Sequence, residues 1–142
     1  LQDRQDLERQ EEALVNPENS GLNDDALYHA VREFAYAGQL ENAQRVLAAM
    51  PDQSDDRVLT YWGFTHRKLG DVETGMAFYR RAIARNPGNI LARSYMGQAL
   101  VEQGDMAAAR EELHAIRQSG GEGSWAEASL DQAISSGATH DY

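Results

Sequence analysis

The sequence predicts an all-α chain, a solenoid of three helix–turn–helix units with one helix in front and a capping helix behind. Three observations carry that expectation. Leu69-Gly70-Asp71 recurs as Gln103-Gly104-Asp105, a step of 34 residues. Aligning those glycines brings Gly63 onto Gly97, Tyr61 onto Tyr95, and Asp56 onto Ile90. A looser third copy lies upstream at Gly38-Gln39, where Ala30, Ala43 and Leu47 match Trp62, Gly75 and Tyr79. Self-similarity at a fixed period of this length marks a stack of supersecondary units.

The middle unit is the clearest. Asp56 to Leu69 reads as its first helix and Val72 to Arg85 as its second. Gly70 suits the left-handed residue that ends a helix, and Asp71 suits the cap of the next. Asn86-Pro87-Gly88-Asn89 closes the unit, because proline resists continuing a helix. The third unit runs from Ile90 through Gln103 and then from Met106 to about Gln118, with Ala107, Ala108 and Ala109 propagating its second helix. The first unit is two residues short, around Met50-Pro51-Asp52. Gly63 and Gly97 fall mid-helix, where glycine costs roughly 1 kcal/mol against alanine. That cost implies close helix approach, with Ala43, Gly75 and Ala109 on the facing side and Leu47, Tyr79 and Leu113 beyond.

The flanks are helical too. Leu1 to Val15 is rich in Gln, Glu and Arg, and Asn16-Pro17 should end that helix. Ser119 to Gly123 is a joint. Ser124 and Glu127 form a capping box. The helix that follows sets Ala126, Leu130, Ala133 and Ile134 on one face, as the end of a solenoid requires. The expected organisation is an N-terminal helix and linker over 1–23, units at 24–55, 56–89 and 90–118, and a joint, capping helix and tail over 119–142.

A mid-helix glycine, a Gly-Asp turn, then a small residue, an aromatic, an alanine and a closing proline make a pattern that resembles the tetratricopeptide repeat. Gly63, Gly70-Asp71, Tyr79, Ala82 and Pro87 sit at family positions, and the third unit matches with Gly97, Gly104-Asp105, Ala109 and Leu113. The first unit carries Val31 in place of the mid-helix glycine. The resemblance covers Asp24 to Gln118. It implies a right-handed α-solenoid serving as a scaffold or adaptor for a protein or peptide partner. The chain is similar to short bacterial tetratricopeptide proteins, many of them exported. A start at Leu1 is compatible with a removed leader, so a periplasmic or exported location is favoured over a cytoplasmic one.

Composition narrows the function classes. The chain has 142 residues, 13 Lys+Arg against 23 Asp+Glu, and a formal charge of -10. Such a surface repels phosphate backbones, so nucleic acid is not an expected partner. No apolar run approaches the ~20 residues that span a bilayer, so membrane insertion is not expected. Without cysteine there is no disulfide, thiolate nucleophile or Cys metal site. His29, His66, His114 and His140 do not pair at metal spacing; His66 reads as a core histidine and His114 as a surface one. No phosphate-binding loop or nucleophile elbow occurs. Neither catalysis, nor a cofactor, nor a metal is expected.

The expected site is the concave face that the first helices of stacked hairpins line. Helical phase points Tyr28, His29, Arg32 and Tyr36 of the first unit into it. Arg57, Tyr61, Phe64, Arg67 and Lys68 follow from the second, and Tyr95 and Gln98 from the third. Arg32, Arg57, Arg67 and Lys68 face only Asp25 and Glu102, a basic strip on an acidic protein. Tyr and Arg dominate interface energetics. An extended or helical segment bearing acidic groups or a C-terminal carboxylate is the expected ligand. The Lys/Asn/Arg clamp of some family members is not expected, because Tyr28, Arg32, Tyr61, Leu91 and Tyr95 occupy its positions. The competing reading is a self-assembling module that forms homo-oligomers through the N-terminal or cap helix.

Overall fold

The computed structural model describes residues 24–137, and the expected N-terminal helix and the tail with His140 lie outside them. Seven helices and no strand make up the described residues. They are α1 (Asp24–Tyr36), α2 (Leu40–Ala49), α3 (Asp56–Lys68), α4 (Val72–Arg85), α5 (Ile90–Glu102), α6 (Met106–Gln118) and α7 (Trp125–Ser136). Helices α1/α2, α3/α4 and α5/α6 pair as antiparallel hairpins, and α7 packs on both α5 and α6. This is an all-α helical-repeat solenoid.

The hairpin turns share one hydrogen-bond pattern. The amide of Gly70 donates to Arg67 O (3.0 Å) and that of Asp71 to His66 O (2.9 Å). Gly104 and Asp105 repeat this with Val101 O (3.0 Å) and Leu100 O (2.9 Å), and Gly38 and Gln39 with Ala35 O (3.2 Å) and Phe34 O (2.8 Å). Closing such a turn requires a left-handed residue, and Gly70 stands at φ +99°. The next residue caps the second helix: Asp71 accepts from the Thr74 amide (3.3 Å), and Asp105 from that of Ala108 (3.1 Å). Ser124 accepts from the Glu127 amide (3.1 Å). Glu127 in turn accepts from the Gly123 amide (3.0 Å), one residue earlier than a capping box would have it.

Packing explains where the glycines fall. A Cβ on Gly63 would lie 2.6 Å from two ring carbons of Tyr79, and one on Gly75 would lie 2.8 Å from Gly63 O. The two glycines therefore let α3 and α4 touch backbone to backbone, with the Tyr79 ring laid over Gly63. At Gly97 the facing group is Leu130 of α7, at 2.6 Å from a Cβ, rather than Ala109 of its own hairpin. Leu130 is fully buried, so the last helix closes the core. Helix α5 lies between α3, α4, α6 and α7. It buries residues all round, from Ala92 and Ser94 to Val101, where α1 buries only the stripe of Leu27, Ala30, Val31, Phe34 and Ala35.

Gly63→Ala should destabilise the fold. The ring clash, about 1–3 kcal/mol for overpacking, exceeds the ~1 kcal/mol that alanine gains in a helix. Gly88→Ala should change little, because its Cβ meets only Asn86 Oδ1 at 3.5 Å. Thermal unfolding of the two variants checks this; equal melting temperatures would contradict the close approach at Gly63.

Candidate functional site

The inner face of the stack carries a column of aromatic rings. Tyr28 meets Tyr61 edge-on, with centroids 5.6 Å apart. Tyr36 packs on Tyr61 (6.0 Å) and Phe64 (5.8 Å), and Phe64 lies 4.9 Å from Tyr95. Tyr95 then meets Trp125 edge-on at 6.0 Å. The rings come from α1, α3, α5 and α7, so every first helix contributes and α7 takes the place of a fourth. The phenol of Tyr36 hydrogen-bonds both to that of Tyr61 and to that of Tyr95 (2.6 Å), tying three hairpins at one oxygen.

This column corrects the expected exposure of five residues. Tyr61, Phe64 and Tyr95 are fully buried, because the rings pack on one another across neighbouring hairpins instead of facing an open groove. Gln98 is buried as well. Its amide donates to Ser94 Oγ (3.1 Å) and Ser129 Oγ (3.0 Å), and Ser94 donates to Ala126 O (2.8 Å), so these groups fasten α7 to α5. Arg67 is only 4% exposed. Its Nη2 donates to Glu102 of α5, while Nε and Nη1 have no hydrogen-bond partner among the described residues. Buried on α3 and bonded to Glu102 of α5, Arg67 belongs to the packing of α3 on α5.

The other expected residues stay nearer solvent. His29 is exposed and pairs with Glu33 (3.0 Å) one turn along α1. Arg57 bridges Asp55 (3.2 Å) and Asp25 (3.8 Å), with its guanidinium 4.9 Å from the Tyr28 ring centroid. Lys68 lies 5.8 Å from the Phe64 ring centroid. Arg32 and Tyr36 line a cavity of about 510 Å³. Its other walls are Ile90 and Leu91 of α5 and Ser124, Trp125 and Ala126 of α7. Trp125 is 48% and Tyr36 36% exposed, two of the three large apolar side chains left open among the described residues. The sequence reading set Trp125 at the start of a cap helix. The signal it carried was that a cap in the place of a fourth first helix turns its opening residue towards the inner face.

His66 also departs from expectation. It is half-buried, not in the core, with its ring 5.5 Å from Phe78 at 8° and 5.9 Å from Trp62. These rings stand beside a smaller hollow of about 300 Å³ with Gln53 and Arg81. Among the described residues no three His, Cys, Asp or Glu side chains gather to hold a metal ion, and no helix is long and apolar enough to cross a membrane.

The hairpins and the helix that closes them define a helical-repeat protein. Residues 66–134 match the Tetratricopeptide repeat family, and with the repeated hairpins above this match supports a tetratricopeptide-repeat protein. Domains of that family mediate protein–protein interaction as scaffolds. No curated protein matches the chain.

Burial raises the phenol of Tyr28 to about 12 and lifts that of Tyr61 further above its ordinary value. Each stays neutral in the fold where the unfolded chain ionises near pH 10. The stability they contribute is therefore complete below about pH 10 and is lost as pH rises beyond it. For the fully buried Tyr61 the slope is about 1.4 kcal/mol per pH unit. Melting temperatures between about pH 9 and 12 should fall more steeply for the native chain than for Tyr61→Phe. Parallel curves would show that Tyr61 is not held neutral.

Proposed function

We propose that this chain is a scaffold that holds a peptide segment of a partner protein on its concave face, at the end bounded by Arg32, Tyr36, Leu91 and Trp125. The observation that carries the reading is the half-exposed indole of Trp125 standing over the cavity, beside a column whose other rings are mostly buried. An indole or phenol that offers apolar area and a polar tip at low rotamer cost is the usual anchor of a protein interface. The cavity volume, about 510 Å³, lies within the range that receives one or two side chains. Tyr61, Phe64, Tyr95 and Arg67 serve packing, which favours a binding surface at the end of the face where Trp125 and Tyr36 stay open.

Self-assembly through the cap helix has less support. The outward residues of α7, Ala128, Asp131, Gln132 and Ser135, are exposed and small or polar. A helix that stacked on a second copy would present an apolar stripe there.

Peptides selected from a displayed library against the chain provide the test. Trp125→Ala should weaken their binding at least tenfold, about the effect of a hot-spot truncation. Leu69→Ala, which removes an equally exposed side chain outside the cavity, should leave it unchanged. Binding that tolerates Trp125→Ala, or suffers as much from Leu69→Ala, would count against the site.

A further inference from the structure

Arg32 differs from the other cations of the inner face in its surroundings. Arg57 is held by Asp55 and Asp25, Arg67 by Glu102, and His29 by Glu33. Lys68 stands over the Phe64 ring. Arg32 has no carboxylate partner among the described residues; its guanidinium stands 5.9 Å from the Tyr36 ring centroid, within the influence of the Tyr36 and Tyr61 hydroxyls. It is the only charged residue among the described ones that line the 510 Å³ cavity, whose other walls are mainly apolar. The polar Ser124 is already committed: its hydroxyl donates to Gly121 O (2.6 Å) and accepts from the Glu127 amide (3.1 Å). Among the described residues, the charge that this lining offers is one guanidinium fork beside apolar and indole surface, on a chain of net charge -10.

We infer that the cavity takes a peptide residue pair in which an apolar side chain stands beside a carboxylate, the side chain against Leu91 and Trp125 and the carboxylate on Arg32. The inference rests on the peptide-holding reading above and names the chemistry of the segment held. A guanidinium presents two parallel N–H donors that match a carboxylate, and the pair gains strength beside low-dielectric walls. A single cation fits a monoanion better than a phosphate dianion, which in known sites gathers several donors. The acidic remainder of the surface repels nucleic acid. The acidic surface would also repel an acidic segment in general, whereas at this cavity a cation and apolar contact coincide.

The test uses Trp62→Phe chain, in which Trp125 is the remaining one of two tryptophans and reports by fluorescence. The probes are acetyl-leucyl-aspartyl amide, its neutral asparaginyl isostere, and hexanoate. The aspartyl compound should bind at least about fivefold tighter than the asparaginyl one, the scale of one charge-assisted hydrogen bond. Adding Arg32→Gln should erase that preference, and adding Arg57→Gln should preserve it. Because Arg32 is exposed, the variant should keep the native helical signal and melting temperature. Equal binding of the two peptides, a preference that survives Arg32→Gln, or one that Arg57→Gln also removes would each overturn the inference. Hexanoate binding as tightly as the aspartyl compound would overturn the assignment to a peptide. If library-selected peptides bind through Trp125 with no dependence on Arg32, this inference fails and the peptide-holding reading stands.

Discussion

The first helices of the stack are joined on their inner sides by packed aromatic rings, with the Tyr36 hydroxyl bonded to Tyr61 and Tyr95 at their centre. Adjacent hairpins bury apolar surface against each other, as any repeat must, since a hairpin alone cannot cover its own hydrophobic face. What is particular here is that the inner side takes part. Rings that meet edge-to-face at 5.6–6.3 Å gain about 0.5–1.5 kcal/mol per pair beyond their burial. The inner face is thus continuous with the core, and the surface available to a partner is what that core leaves uncovered.

The remaining features fit this constraint. The outer helices can approach only because Gly63 and Gly75 remove two side chains from the contact between α3 and α4. Helix α7 occupies the place of a further first helix, with Leu130 over Gly97 and Gln98 bonded to Ser129. Its first residue, Trp125, completes the aromatic series by meeting Tyr95 edge-on, and about half of its surface stays open. The cavity follows from that incompleteness. It lies between the last turn of α1, where Arg32 and Tyr36 sit, and the opening turns of α5 and α7.

Much of the fold was legible in the sequence because its signals are local. Gly70-Asp71 and Gly104-Asp105 specify a left-handed stop followed by a cap, and chemistry confined to two residues survives in any context. The mid-helix glycines announced a close approach, and at Gly63 the partner was the expected Tyr79 and Gly75. At Gly97 it was not, because the neighbour comes from α7 and no local signal encodes that contact. Of the candidate site, the sequence showed which residues leave the first helices on one side but not their exposure. Helical phase set Tyr61, Phe64, Tyr95 and Gln98 towards a groove, yet phase cannot say whether a neighbouring helix covers them, and here all four are buried. Arg67 failed for the same reason. A charged residue near a helix end ordinarily reaches water, and here Glu102, thirty-five residues along the chain, holds it in the interior. Trp125 was missed as a site residue because its role depends on where a whole helix docks.

The aromatic column of the inner face stays open at the Arg32–Trp125 end, and we propose that a partner enters there. Backbone amide shifts of isotope-labelled chain, followed on adding a library-selected peptide, measure this most directly. The expected result is that the largest shifts fall in the last turn of α1 and the first turns of α5 and α7. Shifts concentrated instead on α2, α4 and α6, or around Trp62 and Phe78, would contradict it.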